Sequence, residues 1–553
     1  MPLVLSIVAI FVAVGITGVV SNFVKMDDYV MNMIIMIGLA VGIDYTLFIV
    51  ERFREERAGG LAKIDAITRA GATASRAVLF SGITVIIALS GLLIMPSGSF
   101  TGMALGAIAA AAGAVLAAMT LLPAALSLLG DKINAIHLPG RGKVNLAEDK
   151  GGFWAFTTRT VMSHPVIAIV VSATILVAAT APLAGIHIGS PGISQMPQNI
   201  NSVKAFQVLN TEFSAGRIAP VDIVINGDVS SPAVRQSSEA LATSLSKDAR
   251  FSGFTGFQPL NDNTALAKVY INGDSMGEEA QQALRQLRSQ YVPQAFADND
   301  SGTEVLVGGT TALTIDDTDQ MKQYLPIVIG FVLTLSFVLL TVVFRSIVIP
   351  VKALVMNLLS VGAAYGMVVL VFQDGFGANL LGFTQTDAVA SFLPVFLFAI
   401  LFGLSMDYHV FLLSRIQERF LATGDNRASV AHGLQSTAHI ITGAAAIMVC
   451  VFGAFALGDL VHLQQMGFGL AVAVFIDATL IRSILVPASM ELLGDRNWYL
   501  PSWLEWLPRV NIEGHAAQPA PRTTREYRLA PQEPTGELAP VRVPVNNYDM
   551  YTD

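Results

Sequence analysis

Ten stretches dominated by apolar residues run along this chain, at 3–20, 30–51, 76–95, 102–128, 161–185, 325–344, 349–372, 391–413, 437–458 and 465–490. Each approaches the roughly 20 apolar residues that let a helix cross a bilayer, so the pattern predicts ten membrane spans. Basic residues collect on one set of connections. Arg52, Arg54, Arg57, Lys63 and Arg69 follow the second span, and Lys132, Arg141, Lys143 and Lys150 the fourth. Arg345 and Lys352 follow the sixth and Arg415, Arg419 and Arg427 the eighth, whereas the opposite short connections hold only Lys25. The positive-inside rule then predicts that both termini are cytoplasmic and that residues 186–322 lie outside.

That outer segment is the one stretch long enough for a soluble domain. It alternates a polar helix near 202–213, a strand at 220–227, a helix at 231–247, strands near 252–258 and 265–272, a helix at 276–292 and a strand at 303–309. A final helix runs on into the sixth span, which predicts a small α+β module. The expected organisation is 1–128 as a first set of transmembrane helices, 129–160 as a polar cytoplasmic linker and 161–185 as a further span. The external module follows at 186–322, the remaining spans at 323–495 and a cytoplasmic tail at 496–553. From 511 the tail repeats Pro, Arg and Glu with no apolar period, which predicts disorder.

Composition narrows the class. Hydrophobic residues make up 53% and charged residues 13% of the 553 positions, with mean hydropathy +0.59, against roughly 25% charged residues in an ordinary soluble domain. The net charge of −8 says little, because location matters more than sum in a membrane chain, and nothing points to nucleic acid. The single cysteine, Cys450, excludes an intrachain disulfide and the usual cysteine-based metal clusters. There is no Walker A, GxSxG or HExxH pattern. The chain is therefore expected to be no enzyme and to need neither cofactor nor metal.

Two aspartates interrupt the apolar pattern, each followed by tyrosine: Asp44-Tyr45 and Asp407-Tyr408. A carboxyl near mid-bilayer costs about 2.5 to 3.5 kcal/mol on insertion scales, so its presence asks for a use, and a proton or ion relay is the first candidate. Placing Asp44 on Asp407 gives an offset of 407 − 44 = 363, which also pairs Phe48 with Phe411, Arg52 with Arg415 and Glu55 with Glu418. LLPAALSLLGD (121–131) then matches ILVPASMELLGD (484–495), the offset drifting by one to 494 − 130 = 364. Spans one to four thus repeat as seven to ten in the same orientation, predicting parallel halves about a pseudo-two-fold axis along the membrane normal. Only the second half carries a leading unit of span, external module and span. The chain reads either as a shortened form of a twelve-span protein or as a natural ten-span protein.

Each aspartate precedes its arginine by eight residues, about 12 Å along a helix, so both carboxyls share one depth. A tyrosine at i+1 is turned about 100° from its own aspartate, so the expected hydrogen bonds are crossed: Asp44 with Tyr408 and Asp407 with Tyr45. A buried bond that only fixes helix packing is the plainer alternative. Asp477 and Arg482 could pair or join the relay, while Arg482 could instead extend to the cytoplasmic surface. Phe48 and Phe411 read as hydrophobic plugs or as ordinary packing, His439 as a surface residue, and His409 as a structural residue or an extension of a proton path.

GLAVGIDYTLFIVERFREE (38–56) with its echo GLSMDYHVFLLSRIQERF (403–420), RAVLFSGITV (76–85), VGGTTALTIDD (307–317) and FIDATLIRSILVPA (475–488) resemble the MMPL family, the lipid-exporting branch of the resistance-nodulation-division superfamily. The resemblance covers essentially residues 1–495. It implies an RND-like helical membrane fold and an inner-membrane exporter driven by the proton-motive force. Its partners would be a lipid or other hydrophobic substrate, protons and the bilayer, with envelope or accessory proteins as further candidates. Ser81 is similar to the family's serine beside the aspartates, although a membrane serine equally bonds its own backbone. The family pattern also has an aspartate at Asp477 and often an acidic residue at His409. Its first external domain is not in this sequence, so the resemblance further implies an incomplete pump. The rival reading is a lipid-binding sensor or scaffold of the same superfamily that does not transport.

Overall fold

A computed structural model describes residues 1–27, 29–134, 153–189, 200–213, 219–275, 277–297 and 303–508. The tail from 511 and most of the expected linker lie outside these residues. In chain order, α1 (Pro2–Val20), α2 (Tyr29–Ala58), α3 (Lys63–Ser90) and α4 (Gly98–Leu129) come first. Next, α5 (Phe153–Ser163) leads into α6 (Pro165–Thr180). Helix α5 begins inside the stretch read as linker and packs against helices of the second half.

The external module holds β1 (Ile188–Gly189), α7 (Asn201–Phe213), β2 (Val221–Asn226), α8 (Pro232–Ser246), β3 (Phe251–Ser252), β4 (Gln258–Asn261) and β5 (Thr264–Ile271). It continues through α9 (Glu278–Gln286), α10 (Val292–Ala295) and β6 (Glu304–Gly309). Strands run β3-β5-β2-β6, all antiparallel, with β4 also on β5. The single strand expected near 252–258 is two short pieces, because Gly253 and Gly256 take φ of +60° and +70° and interrupt the ladder. Val221, Ile223, Val269 and Leu284 pack the module's own core. At its edge, hydrogen bonds from the Arg250 side chain hold the Asp248 carboxyl well below the usual carboxylate range.

From the module, α11 (Thr310–Phe344) enters the membrane region as one helix of 35 residues. Then come α12 (Val348–Val368), α13 (Ala378–Leu381), β7 (Val389–Ala390), which pairs with β1, α14 (Leu393–Thr423), α15 (Asn426–Ala456), α16 (Val461–Ile476) and α17 (Val486–Leu493). Among the described residues ten helical stretches are long and apolar enough to cross a membrane, which agrees with the ten expected spans. Their ends differ: α2 runs on to Ala58 and α15 starts at Asn426, because a helix continues into polar surroundings after its apolar pattern stops.

The halves repeat in packing as well as in sequence. Contacts of α1 with α2 and α4, and of α3 with α4, recur as α12 with α14 and α16, and α15 with α16. The halves interlock where α3 packs on α14 and α15 packs on α2. The one-residue drift in the repeat offset also has a structural cause. Residues Asp477–Leu485, between α16 and α17, form a π-helix, whose i→i+5 bonds take up one residue more per turn than an α-helix. The offset is still 363 at Gly469 and Gly106 and becomes 364 at Pro487 and Pro123.

Glycine sets the closest crossings. A Cβ on Gly403 would stand 3.3 Å from the Cα of Val85, bringing α14 close to α3, as small residues do at membrane helix interfaces. A Cβ on Gly366 would collide with the Ala179 carbonyl of α6, whereas Gly18, its counterpart when Pro2 of α1 is set on Pro350 of α12 (350 − 2 = 348), has nothing within 4 Å. We expect Gly366→Leu to lower the thermal midpoint of the detergent-purified chain, in line with the roughly 1–3 kcal/mol cost of overpacking. Gly18→Leu should leave it unchanged. Equal midpoints for the two variants would refute the packing of α6 on α12.

Candidate functional site

Helices α2 and α14 bring the paired motifs to one depth, and the tyrosines cross between halves as the spacing predicts. Tyr45 Oη donates to Asp407 Oδ2 at 3.3 Å, and Tyr408 Oη donates to Asp44 Oδ1. The tyrosines and Asp407 are buried. A partly open cavity of about 520 Å3 is lined by both aspartates, both tyrosines, Ser81, Phe48 and Phe411. Phe48 and Phe411, one turn beyond the aspartates toward Arg52 and Arg415, meet edge to face with centroids 4.4 Å apart.

The two carboxyls have unlike surroundings. Beside Asp407 on α3 stands Thr84, whose Oγ1 is 2.8 Å from Asp407 Oδ1 and 2.6 Å from the carbonyl of Ser81. Ser81 itself stands next to Asp407 and Tyr45, but its buried hydroxyl completes no hydrogen bond of ordinary geometry. Sequence reasoning singled out Ser81 and missed Thr84. The available signal was a broken repeat, since Thr84 corresponds to Ile447 and Ser81 to Ala444.

Beside Asp44 the asymmetry comes from the second half. Arg482 ion-pairs with Asp477, donates to the carbonyl of Ser405 at 3.0 Å and lies over the Tyr408 ring, 4.4 Å from its centroid. In an α-helix residues i and i+5 point about 140° apart; the π-helix narrows that angle and allows the pair. Arg482 is only 3% exposed, so it does not extend to the membrane surface. Its charge is compensated inside. A second cavity of about 340 Å3 is lined by Asn357, Ser405, Tyr408, Asp477 and Arg482, with Ser405 Oγ donating to Asn357 Oδ1 at 2.8 Å. The repeat position of Asp477 is Ala114, so this polar pocket has no counterpart in the first half.

His409 is buried, and neither ring nitrogen has a hydrogen-bond partner of ordinary geometry. Arg482 and Lys352 are the cations near it. His439 is exposed. Among the described residues no group of three or more His, Cys, Asp or Glu side chains is placed to hold a metal.

The chain matches the MMPL family over residues 1–183 and 194–512. It is 35% identical over 521 residues to a protein of Mycolicibacterium smegmatis named mycolic acid-containing lipids exporter MmpL11, covering 93% of this chain and 54% of that one. It is 34% identical to a Mycobacterium tuberculosis protein named heme uptake protein MmpL11, covering 93% of this chain and 53% of that one. The chain thus spans about half the length of these two relatives. In fold it is similar to a crystal structure of SecDF in a super-membrane-facing form, with a TM-score of 0.50 at 14% identity, covering 88% of this chain and 58% of the other. The chain therefore belongs to the MMPL family of the resistance-nodulation-division superfamily and is a multi-pass membrane protein.

Proposed function

We propose that this chain is part of a transporter, and not an enzyme, that uses the proton-motive force to export a lipid or other hydrophobic molecule across the plasma membrane toward the cell envelope. The observation that carries this reading is the crossed Asp44–Tyr408 and Asp407–Tyr45 pairing. Each carboxyl is held from the opposite half, so a proton arriving or leaving alters the contact between halves, and movement between halves is what alternating access requires. Asp477 and Arg482 act on the relay electrostatically, the guanidinium lying over the Tyr408 ring, and Ser81 lines its cavity. Phe48 and Phe411 close the cavity on the side that the charge pattern makes cytoplasmic.

The hydrogen-bond pattern supports a protonated Asp407 in this conformation. Thr84 has one hydroxyl proton and two acceptors within reach, Asp407 and the Ser81 carbonyl. Both contacts are satisfied together when Asp407 donates to Thr84 and Thr84 donates to Ser81. A carboxylate would have to compete with the backbone for a single proton. The export name of the M. smegmatis relative supports a lipid cargo, and the heme-uptake name of the M. tuberculosis relative makes inward movement of an apolar ring system the second reading.

Neutralising either carboxyl with Asp44→Asn or Asp407→Asn should abolish gradient-dependent substrate movement while expression and membrane insertion stay normal. Full transport by either variant would sink the relay. A sensor or scaffold would instead keep lipid binding and show no proton-coupled flux in the unmutated chain. Thr84→Val should slow transport roughly fivefold, the effect of about one net hydrogen bond, and Thr84→Ser should restore it.

Orientation is open to a separate test with Cys450→Ser as background. A cysteine in place of the exposed Asp228 should react with an impermeant thiol reagent in intact cells, and one in place of Gly59 should not. The reverse labelling pattern would invert the proposed direction of transport.

A further inference from the structure

After α17 the chain folds into a short tryptophan-rich segment that ends beside the turn between α11 and α12. Its backbone follows i→i+3 hydrogen bonds: Leu504 N–H to Pro501, Glu505 N–H to Ser502 and Leu507 N–H to Leu504. In such a helix residues three apart eclipse one another. Trp503 and Trp506 therefore share one side, where they are 71% and 77% exposed, while Leu507 is buried on the other. Two exposed indoles three residues apart are costly in water, and each combines a large apolar ring with an N–H that still needs a polar partner.

The segment is fastened where the membrane helices end. Ser346 Oγ donates to the Asn497 carbonyl at 2.6 Å, Ile347 N–H to the Tyr499 carbonyl at 3.2 Å, and Lys352 Nζ to Asn497 Oδ1 at 3.2 Å. Trp498 stacks on Phe420 of α14, centroids 5.1 Å apart. Arg345 completes the attachment by donating to the carbonyls of Leu507 and, at 3.0 Å, Glu505. Among the described residues Arg345 is the one non-glycine with positive φ, +48°, at the C-cap of α11, a place that usually belongs to glycine. Arginine bears that left-handed backbone while its guanidinium grips the segment carrying the two tryptophans.

We infer that residues 499–507 form an interfacial anchor whose Trp503 and Trp506 indoles enter the headgroup layer of the leaflet at the α11–α12 turn, with Arg345 fixing their depth. The occupant is lipid because of level. The apolar sequence of α11 runs up to Phe344 and resumes at Ile347 after Arg345 and Ser346, so the turn lies at the boundary of the hydrocarbon, the depth at which tryptophan concentrates in membrane proteins. Arg345 and Arg496 balance Asp495 and Glu505 at the same level, so the anchor rests on the indoles and not on attraction of anionic headgroups. This inference depends on the spans and not on transport, so a dead relay would leave it standing.

The test uses the full chain in vesicles of phosphatidylcholine and phosphatidylglycerol, reading tryptophan emission. Phosphatidylcholine brominated near the headgroup end of its acyl chains should quench the emission. Trp503→Phe combined with Trp506→Phe should remove about half or more of the quenched intensity, because two of the four indoles are then gone and these are the two left exposed. Arg345→Gly suits the left-handed backbone but lacks the guanidinium; it should raise quenching by aqueous acrylamide in the otherwise unmutated chain. Failure of the brominated lipid to quench these two indoles, whether acrylamide reaches them or a bound protein shields them, would overturn the inference. Unchanged acrylamide access in Arg345→Gly would overturn the part assigned to Arg345.

Discussion

A carboxyl inside an apolar helix bundle cannot be left without a partner, and here each aspartate finds its tyrosine on the other half of the molecule. Separating α2 from α14 would take the tyrosine partner from each carboxyl, at about 1–3 kcal/mol for each acceptor left unsatisfied. The rest of the membrane domain is arranged to make that crossing possible. Gly403 lets α14 approach α3 closely one turn before Asp407, and the packing of α3 on α14 carries Thr84 of the first half to the carboxyl of the second. The pseudo-two-fold repeat is thus a geometric condition of the site as well as a trace of duplication.

The same repeat is broken where the chemistry differs. Thr84 and Ser81 serve Asp407 from the first half and have apolar counterparts in the second, while Asp477 and Arg482 approach Tyr408 from the second half and have no counterpart in the first. Two identical carboxyls related by symmetry would give a proton no preferred order of occupancy. On the proposed reading, unequal surroundings make one site the first to take the proton and the other the first to respond, which a directional relay needs. The π-helix that admits the Asp477–Arg482 pair is the price of that inequality, a less favourable backbone turn retained where a buried charge needs a partner.

Much of this was legible in the residues. Ten spans, the external α+β module and the parallel repeat follow from lengths of apolar sequence and from a constant offset, and the crossed bonds follow from the turn between a residue and its neighbour on a helix. Helix ends were not legible, because hydropathy marks where the bilayer stops and not where hydrogen bonding stops. The module's split strand lay beyond reach because the two glycines at 253 and 256 look in sequence like any loop punctuation. The burial of Arg482 was ambiguous, since a long cation near a span end can reach water or find partners inside, and only the fold supplies the Ser405 carbonyl and the Tyr408 ring. The drift from 363 to 364 was visible from the start. Its cause, one extra residue in a helical turn, needed the backbone.

Helix α11 joins these local arrangements into one mechanical unit. At 35 residues it is about 50 Å long. Its outer part is clamped to the module, with Arg285 bonded to Asp319 and Arg288 to both Asp316 and the Val307 carbonyl. Ser391, just before α14, donates to Asp317 on the same stretch. Lower down, Gly91 at the end of α3 meets Val328 and Val332 of α11, and at the far end Arg345 grips the segment that carries Trp503 and Trp506. A rod held at a fixed depth can pivot but cannot slide. On the proposed reading, a proton-dependent shift of α14 or α3 would therefore reach the external module as a tilt of α11, with its fulcrum at the membrane surface.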